Sequence, residues 1–151
     1  MARSKAPLHA VSGDVAASDL GAARRVLTMA AQALAGLAEA LDGDFSHAVG
    51  LILAAAHDPQ KRGRVIVSGM GKSGHVARKI AATFSSTGTP AYFVHPAEAS
   101  HGDMGAITPQ DVLLLLSWGG ETAELSDLIT YAKRNRIPIV AIGANPDSTL
   151  I

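Results

Sequence analysis

The chain has 151 residues, 48% of them hydrophobic, and its 13 basic residues balance 13 acidic ones. That is enough for one domain with a real core; it excludes a disordered segment and argues against nucleic-acid or membrane-surface binding driven by charge. No cysteine is present, so disulfides and thiolate zinc sites are excluded and a reducing cytoplasm is the expected compartment, while no apolar run approaches the roughly 18 residues of a membrane span.

Residues 1–17 read as a flexible tail, because the basic residues near the start are not followed by the apolar core of a signal peptide. Ser18 or Asp19 then caps a helix to about Leu41. Leu20, Leu27, Leu34 and Leu41 recur at heptad spacing with Ala23, Ala30 and Leu37 between them, an a/d seam of roughly three heptads. A helix packed on its own domain and a seam packed on another subunit both account for it. Gly43 ends this helix and Asp44 caps a second over 45–56, with Phe45, Val49, Ile52 and Leu53 on one side and Asp58-Pro59 as its stop.

From residue 64 the pattern alternates. Residues 64–68 predict a strand, 73–86 a helix with Gly88 past its end, and 91–94 a second strand. Residues 95–111 predict a loop long enough to be functional. Residues 112–116 are a wholly apolar strand, as expected when both faces are covered. A second glycine-rich turn, 117–122, leads into a helix over 121–134 with Lys133 and Arg134 in its basic last turn and Asn135 as its cap. Residues 137–142 are a fourth strand, and Asn145-Pro146 a turn. Strands alternating with helices of ten to fifteen residues predict right-handed crossovers and a parallel sheet, a three-layer α/β/α fold with two leading helices. Four strands are few for such a sheet, so the fold is expected to be incomplete at its C-terminal side.

The first glycine turn, Gly69-x-Gly71-x-x-Gly74, follows a strand and opens a helix, and it matches a dinucleotide fingerprint literally. That fingerprint needs an acidic residue about 20 positions on; the region reads Tyr92-Phe93-Val94-His95, with no carboxylate until Glu98. A Walker loop fails, since its first glycine would stand at Ile66. The second turn, Ser117-Trp118-Gly119-Gly120-Glu121-Thr122, puts a hydroxyl on each side of two glycines. Backbone N–H groups and two O–H donors at a helix N-terminus suit a phosphate monoester. Each turn alone is also explained as a short strand-to-helix connection. Together, at the carboxyl ends of strands in one open sheet, they point to a small phosphorylated metabolite.

The segments Ser68-Gly-Met-Gly-Lys-Ser-Gly-His75, Ser86-Thr-Gly-Thr-Pro90, Val94-His-Pro-Ala-Glu98, His101-Gly-Asp103, Thr108-Pro-Gln-Asp111 and Gly120-Glu-Thr-Ala-Glu124 occur in this order. From about Leu20 to its last residue the chain resembles the sugar isomerase (SIS) domain of the arabinose-5-phosphate isomerase family, the KpsF/GutQ group. The resemblance implies a flavodoxin-like sheet and interconversion of D-arabinose 5-phosphate and D-ribulose 5-phosphate through an enediol, feeding synthesis of Kdo for lipopolysaccharide. It also implies a cytoplasmic homotetramer; the balanced charge and the lack of a long apolar run already lead to the expectation of neither nucleic acid nor membrane as partner. The domain would span 18–151, and this sequence would lack the paired CBS domains that usually follow in the family.

Such an isomerisation needs a phosphate anchor, a base for the C–H proton, an acid serving the oxygens and help in ring opening, and it requires no redox cofactor. Ser73, Ser117 and Thr122 are the expected hydroxyl donors to phosphate, with the backbone of Gly119 and Gly120. The family normally carries serine where this chain has Gly119, which costs one hydroxyl contact, roughly 1 kcal/mol. Lys72, one residue before the helix, is either a solvated lysine or a cation in the anion loop; the resemblance makes it catalytic, stabilising the enediolate. Glu124, in the first helical turn, is favoured there by the helix dipole in any case; the resemblance makes it a functional glutamate. Glu121 reads as a capping residue. The resemblance further assigns His101 to substrate contact or ring opening, Gly88 and Thr89 to a segment reaching a substrate across subunits, and His95 to a histidine that takes a divalent metal in relatives. His101 and Asp103 nearby make only a thin ligand set, and no metal is required. His9, His47, His57 and His75 read as structural or solvent residues. In the family a second glutamate and another histidine, both beyond the equivalent of Ile151, complete the acid/base set. A non-catalytic module that binds a sugar phosphate is therefore the alternative for this chain.

Overall fold

Apolar runs bounded by glycine turns become a parallel sheet. The computed structural model describes residues 13–60 and 62–151. Among these, β1 (Val65–Gly69), β2 (Ala91–Phe93), β3 (Val112–Leu116) and β4 (Ile139–Ile142) pair in the order β2-β1-β3-β4, every pair parallel. This is the flavodoxin-like order expected.

The described residues divide into two compact units, 13–42 and 43–151. The first contains α1 (Gly13–Ala40), which opens before the expected cap at Ser18 or Asp19. Ala16 and Ala17 are strong helix formers and Asp14 suits a first turn, so the helix runs on N-terminally through Ser18. Residues 13–17 are thus helical instead of tail; the rest of the expected tail lies outside the described residues. Leu20, Leu27, Leu34 and Leu37 are all exposed along α1.

In the second unit α2 (Gly43–Ala56) and α3 (Gly71–Ser86) cover one face of the sheet, and α4 (Pro96–Ser100) and α5 (Ser126–Asn135) the other. Val65, Val67, Val112, Leu114 and Leu116 face Ala55, Ala77 and Ala81 on one side. Ile66, Leu113 and Leu115 face Ala99, Leu128 and Ala132 on the other. All five residues of β3 are buried, which is why its sequence shows no alternation. Each such leucine or isoleucine contributes about 2 kcal/mol by leaving water.

Several expected boundaries move. The stretch 95–111 holds α4 and a 3₁₀ turn, Asp103–Ala106, instead of a plain loop. Pro96 at the first helical position is preorganised for a helix, and His95 Nδ1 accepts from Ala97 N at 3.3 Å as its cap. The helix expected from 121 begins with a 3₁₀ turn, Ala123–Leu125, before α5. Its end is capped by Arg136 in the left-handed region (φ 55°), while Asn135 Nδ2 donates to Tyr131 O at 2.9 Å. β4 starts at Ile139 because Pro138 has no N–H for a ladder.

At the amino ends of the strands, Arg64 clasps Asp111. Arg64 N and Nε donate to Asp111 Oδ1 at 2.8 and 3.1 Å, and Nη2 donates to Oδ2 at 3.0 Å and to Ala106 O at 2.7 Å. Thr108 N adds a bond to Oδ2 at 2.8 Å. Burial opposes ionisation of Asp111, but the Arg64 and Thr108 hydrogen bonds outweigh it and hold its carboxyl below the ordinary carboxylate value. At the carboxyl ends, register sets the site: Gly69 pairs with Leu116, and Leu116 with Ile142, so β1, β3 and β4 end level.

Candidate functional site

Three chain segments leave those level ends side by side. The first turns at once into α3. Gly74 lets the helix start this close to the strand, since a Cβ there would stand 2.6 Å from Gly69 O. Lys72 therefore lies in the first turn of α3, not ahead of it as expected, and Ser73 follows it in the same turn. No side chain caps this helix and no acidic residue occupies its first turn, so helix dipole and ammonium add with one sign. The third segment, from β4, brings Gly143 and Ala144.

The middle segment is the second glycine turn. Ser117 Oγ and Thr122 Oγ1 are 2.7 Å apart, and Gly120 N donates to Ser117 Oγ at 3.1 Å. The two hydroxyls expected to serve phosphate are thus adjacent across the turn, already partnered with each other. Gly120 is buried with φ +73°, and an added Cβ would overlap the Ser148 side chain, so only glycine fits.

Between the segments lies a cleft of about 540 Å³ lined by Lys72, Ser73 and Val76 of α3, Leu116, Ser117 and Trp118 of the second turn, and Ile142, Gly143 and Ala144 after β4. The structure brings Lys72, Ser73 and Ser117 together in this cleft, with Thr122 joined to Ser117. Gly119, exposed, and Gly120, buried, stand in the same turn but do not line the cleft. Glu124 is in the 3₁₀ turn Ala123–Leu125, exposed and off the lining. His101 follows α4 and is also off it.

The segment holding Gly88 and Thr89 stands apart from the cleft within one chain, and Glu121 is not the expected cap. Gly88 and Thr89 precede β2 and so stand at the amino ends of the strands, opposite the cleft; Thr89 Oγ1 pairs with His57 Nε2 at 3.0 Å. A parallel crossover must return the chain to that end, which separates them from Lys72 within one chain. His57 is accordingly a hydrogen-bonding partner of this segment. Glu121 does not cap α5. Its carboxylate accepts from Thr149 N at 2.7 Å and Thr149 Oγ1 at 2.8 Å, bonds that hold it below the ordinary carboxylate value. As for a metal, no three His, Cys, Asp or Glu gather among the described residues, and His95 Nδ1 is engaged in capping.

Sequence reasoning missed the walls of the cleft. Trp118 is 82% exposed at its lip, and an aromatic residue inside a glycine turn was the available signal. Nothing local pointed to Ala144 or to the segment that packs on Gly120.

The profile of the SIS domain family matches residues 60–151. The arabinose 5-phosphate isomerase KdsD of Yersinia pestis is 49% identical over 129 residues, 85% of this chain and 38% of that protein. The protein of the same name from Pseudomonas aeruginosa is 50% identical over 128 residues, 85% of this chain and 37% of that protein. The chain thus spans under two fifths of the length of these relatives. Among solved structures, an Escherichia coli CFT073 protein in complex with arabinose 5-phosphate superposes with a TM-score of 0.64 at 38% identity, over 71% of this chain and 54% of that one.

Proposed function

This chain belongs to the SIS domain family, and from that premise we propose that it is the sugar-phosphate-binding part of an aldose–ketose isomerase acting on D-arabinose 5-phosphate and D-ribulose 5-phosphate. The observation that carries the reading is the meeting of Lys72 and Ser73, at the start of α3, with Ser117 of the second glycine turn in one cleft.

The proposed chemistry follows from the charges. A phosphate dianion is drawn to the N-terminus of α3, where Ser73, Ser117, Thr122 and the backbone of Gly119 and Gly120 supply donors. Opening the pair Ser117–Thr122 frees an O–H for the anion. With the phosphate anchored, the reaction takes the C2 proton of the open aldose, forms an enediolate and returns a proton to C1. Lys72 balances the enediolate charge, Glu124 carries protons, and His101 assists ring opening. Glu124 must approach to hydrogen-bond distance of the sugar to do so. Protein acid and base suffice for this chemistry; a divalent ion at His95 would meet Nε2 of that ring, since Nδ1 is engaged.

The position of Glu124 off the cleft lining, with the short span relative to the relatives, favours a second reading: a module that binds sugar phosphate without turning it over. One experiment separates them. The 151-residue chain is assayed for conversion of D-arabinose 5-phosphate and for binding it. Turnover that Lys72→Ala reduces at least a hundredfold supports the isomerase; binding without turnover supports the module; neither refutes both.

The same reading extends to a homo-oligomer, a tetramer as in the resembled family, supported by the exposed leucines of α1, and sedimentation tests it. It extends also to supply of Kdo synthesis, supported by the KdsD name of the relatives, and to the cytoplasm, supported by the cysteine-free composition. Among the described residues no helix is long and apolar enough to cross a membrane.

A further inference from the structure

We propose that Glu121 is a positioning residue whose carboxylate clasps Thr149, holding the segment after β4 against the glycine turn and so setting the shape in which that turn receives a phosphate. The inference rests on the sugar-phosphate reading of the turn.

Both carboxylate oxygens are committed to one residue. Oε1 takes the Thr149 N–H and Oε2 the Thr149 O–H. An exposed glutamate is ordinarily solvated, and an ordered two-point contact to neutral donors on a distant segment is unusual at such a position. The clasp is one of three ties between the same two segments. Ala144 N donates to Trp118 O at 2.9 Å, and Leu150 N donates to Gly120 O at 3.2 Å. Between these ties the Ser148 side chain fills the space beside Gly120, and its own Oγ donates to Asn145 O at 2.8 Å. Residues 144–150 thus form a strap along residues 118–121.

The strap reaches the anion donors through Gly120. The Gly120 carbonyl is held by Leu150 from outside, and its N–H is directed at Ser117 Oγ from the other side of the same residue. Rotation of this glycine would lose both bonds and move the Ser117–Thr122 pair. A negative group within a phosphate-binding turn would repel the ligand if left pointing inward. Committed to Thr149, the charge is offset by two donors and turned toward the strap. Glu121 therefore acts through Gly120 and touches no substrate.

The test uses the 151-residue chain with D-arabinose 5-phosphate and, as control, D-arabinose. Glu121→Ala is expected to raise the dissociation constant for D-arabinose 5-phosphate about tenfold and to speed amide exchange in residues 117–122 while β1 and β3 keep their protection. Thr149→Val, which retains the N–H donor and removes the hydroxyl, is expected to fall between Glu121→Ala and the parent, and Thr149→Ser to restore parental binding. A dissociation constant within twofold of the parent in Glu121→Ala, unchanged exchange in 117–122, or equal loss of protection throughout the sheet overturns the proposal. If the parent chain fails to prefer the phosphorylated sugar, the sugar-phosphate reading falls, and the exchange measurement still decides whether the clasp shapes the turn.

Discussion

Placing a serine at position 119 is expected to tighten binding of D-arabinose 5-phosphate about fivefold. The position is exposed, it is not among the residues with positive φ, and an added Cβ meets nothing within 4 Å. Serine therefore fits without strain, and the effect reduces to one added donor. A hydrogen bond contributes about 0.5–1.5 kcal/mol net, with more available against an ionised acceptor, and ordering the short side chain takes back a few tenths, roughly, of a kcal/mol. A net gain of about 1 kcal/mol is a roughly fivefold lower dissociation constant. The chain's single tryptophan, Trp118, lines the same cleft and is 82% exposed, so its fluorescence reports the titration. Binding of unphosphorylated D-arabinose should not change. Unchanged or weaker binding of the phosphate ester, or an equal gain for the free sugar, would refute the assignment of this turn to phosphate.

Gly120→Ala should do the opposite. Left-handed backbone costs a residue with a Cβ about 1–2 kcal/mol, and the overlap with Ser148 forces the strap outward; calorimetry should show a lower melting temperature, and the Trp118 titration a loss of phosphate-ester binding of at least tenfold. Asp111→Asn should destabilise the fold by about 2 kcal/mol, because charge-assisted bonds from Arg64 and Thr108 weaken at a buried site. The folded pKa of Asp111 is depressed below its ordinary value of 3.8, so its contribution is present above about that pH and is lost as pH falls through the lower folded value. Urea unfolding of the parent should therefore weaken below pH ~4 more steeply than that of Asp111→Asn; parallel acid limbs would remove this carboxylate from the account.

Much of the fold is legible in the sequence because its determinants are local. The apolar run at residues 112–116 has the length and composition of a strand buried on both faces, and β3 is that strand. The glycines of both turns, each between an apolar strand and a helical pattern, announced anion-suited connections, and Lys72, Ser73 and Ser117 do meet. The misplaced details were local competitions settled by neighbours: Pro96 with His95 as cap made a helix where a loop was expected, and alanines carried α1 past Ser18.

The remainder depends on register, which no single segment encodes. That β1, β3 and β4 end level follows from the pairing of Gly69 with Leu116 and of Leu116 with Ile142, and this pairing makes a cleft of two separate turns. The same parallel topology carries Gly88 and Thr89 to the far end of the strands. Sequence by itself determined the chemistry on offer: a lysine, hydroxyls and glycines at the starts of helices. Only the tertiary structure decided which of those groups share a cleft, and that Glu121 turns toward Thr149, because contacts between residues 28 positions apart arise from packing and hydrogen bonding across segments that local periodicity does not specify.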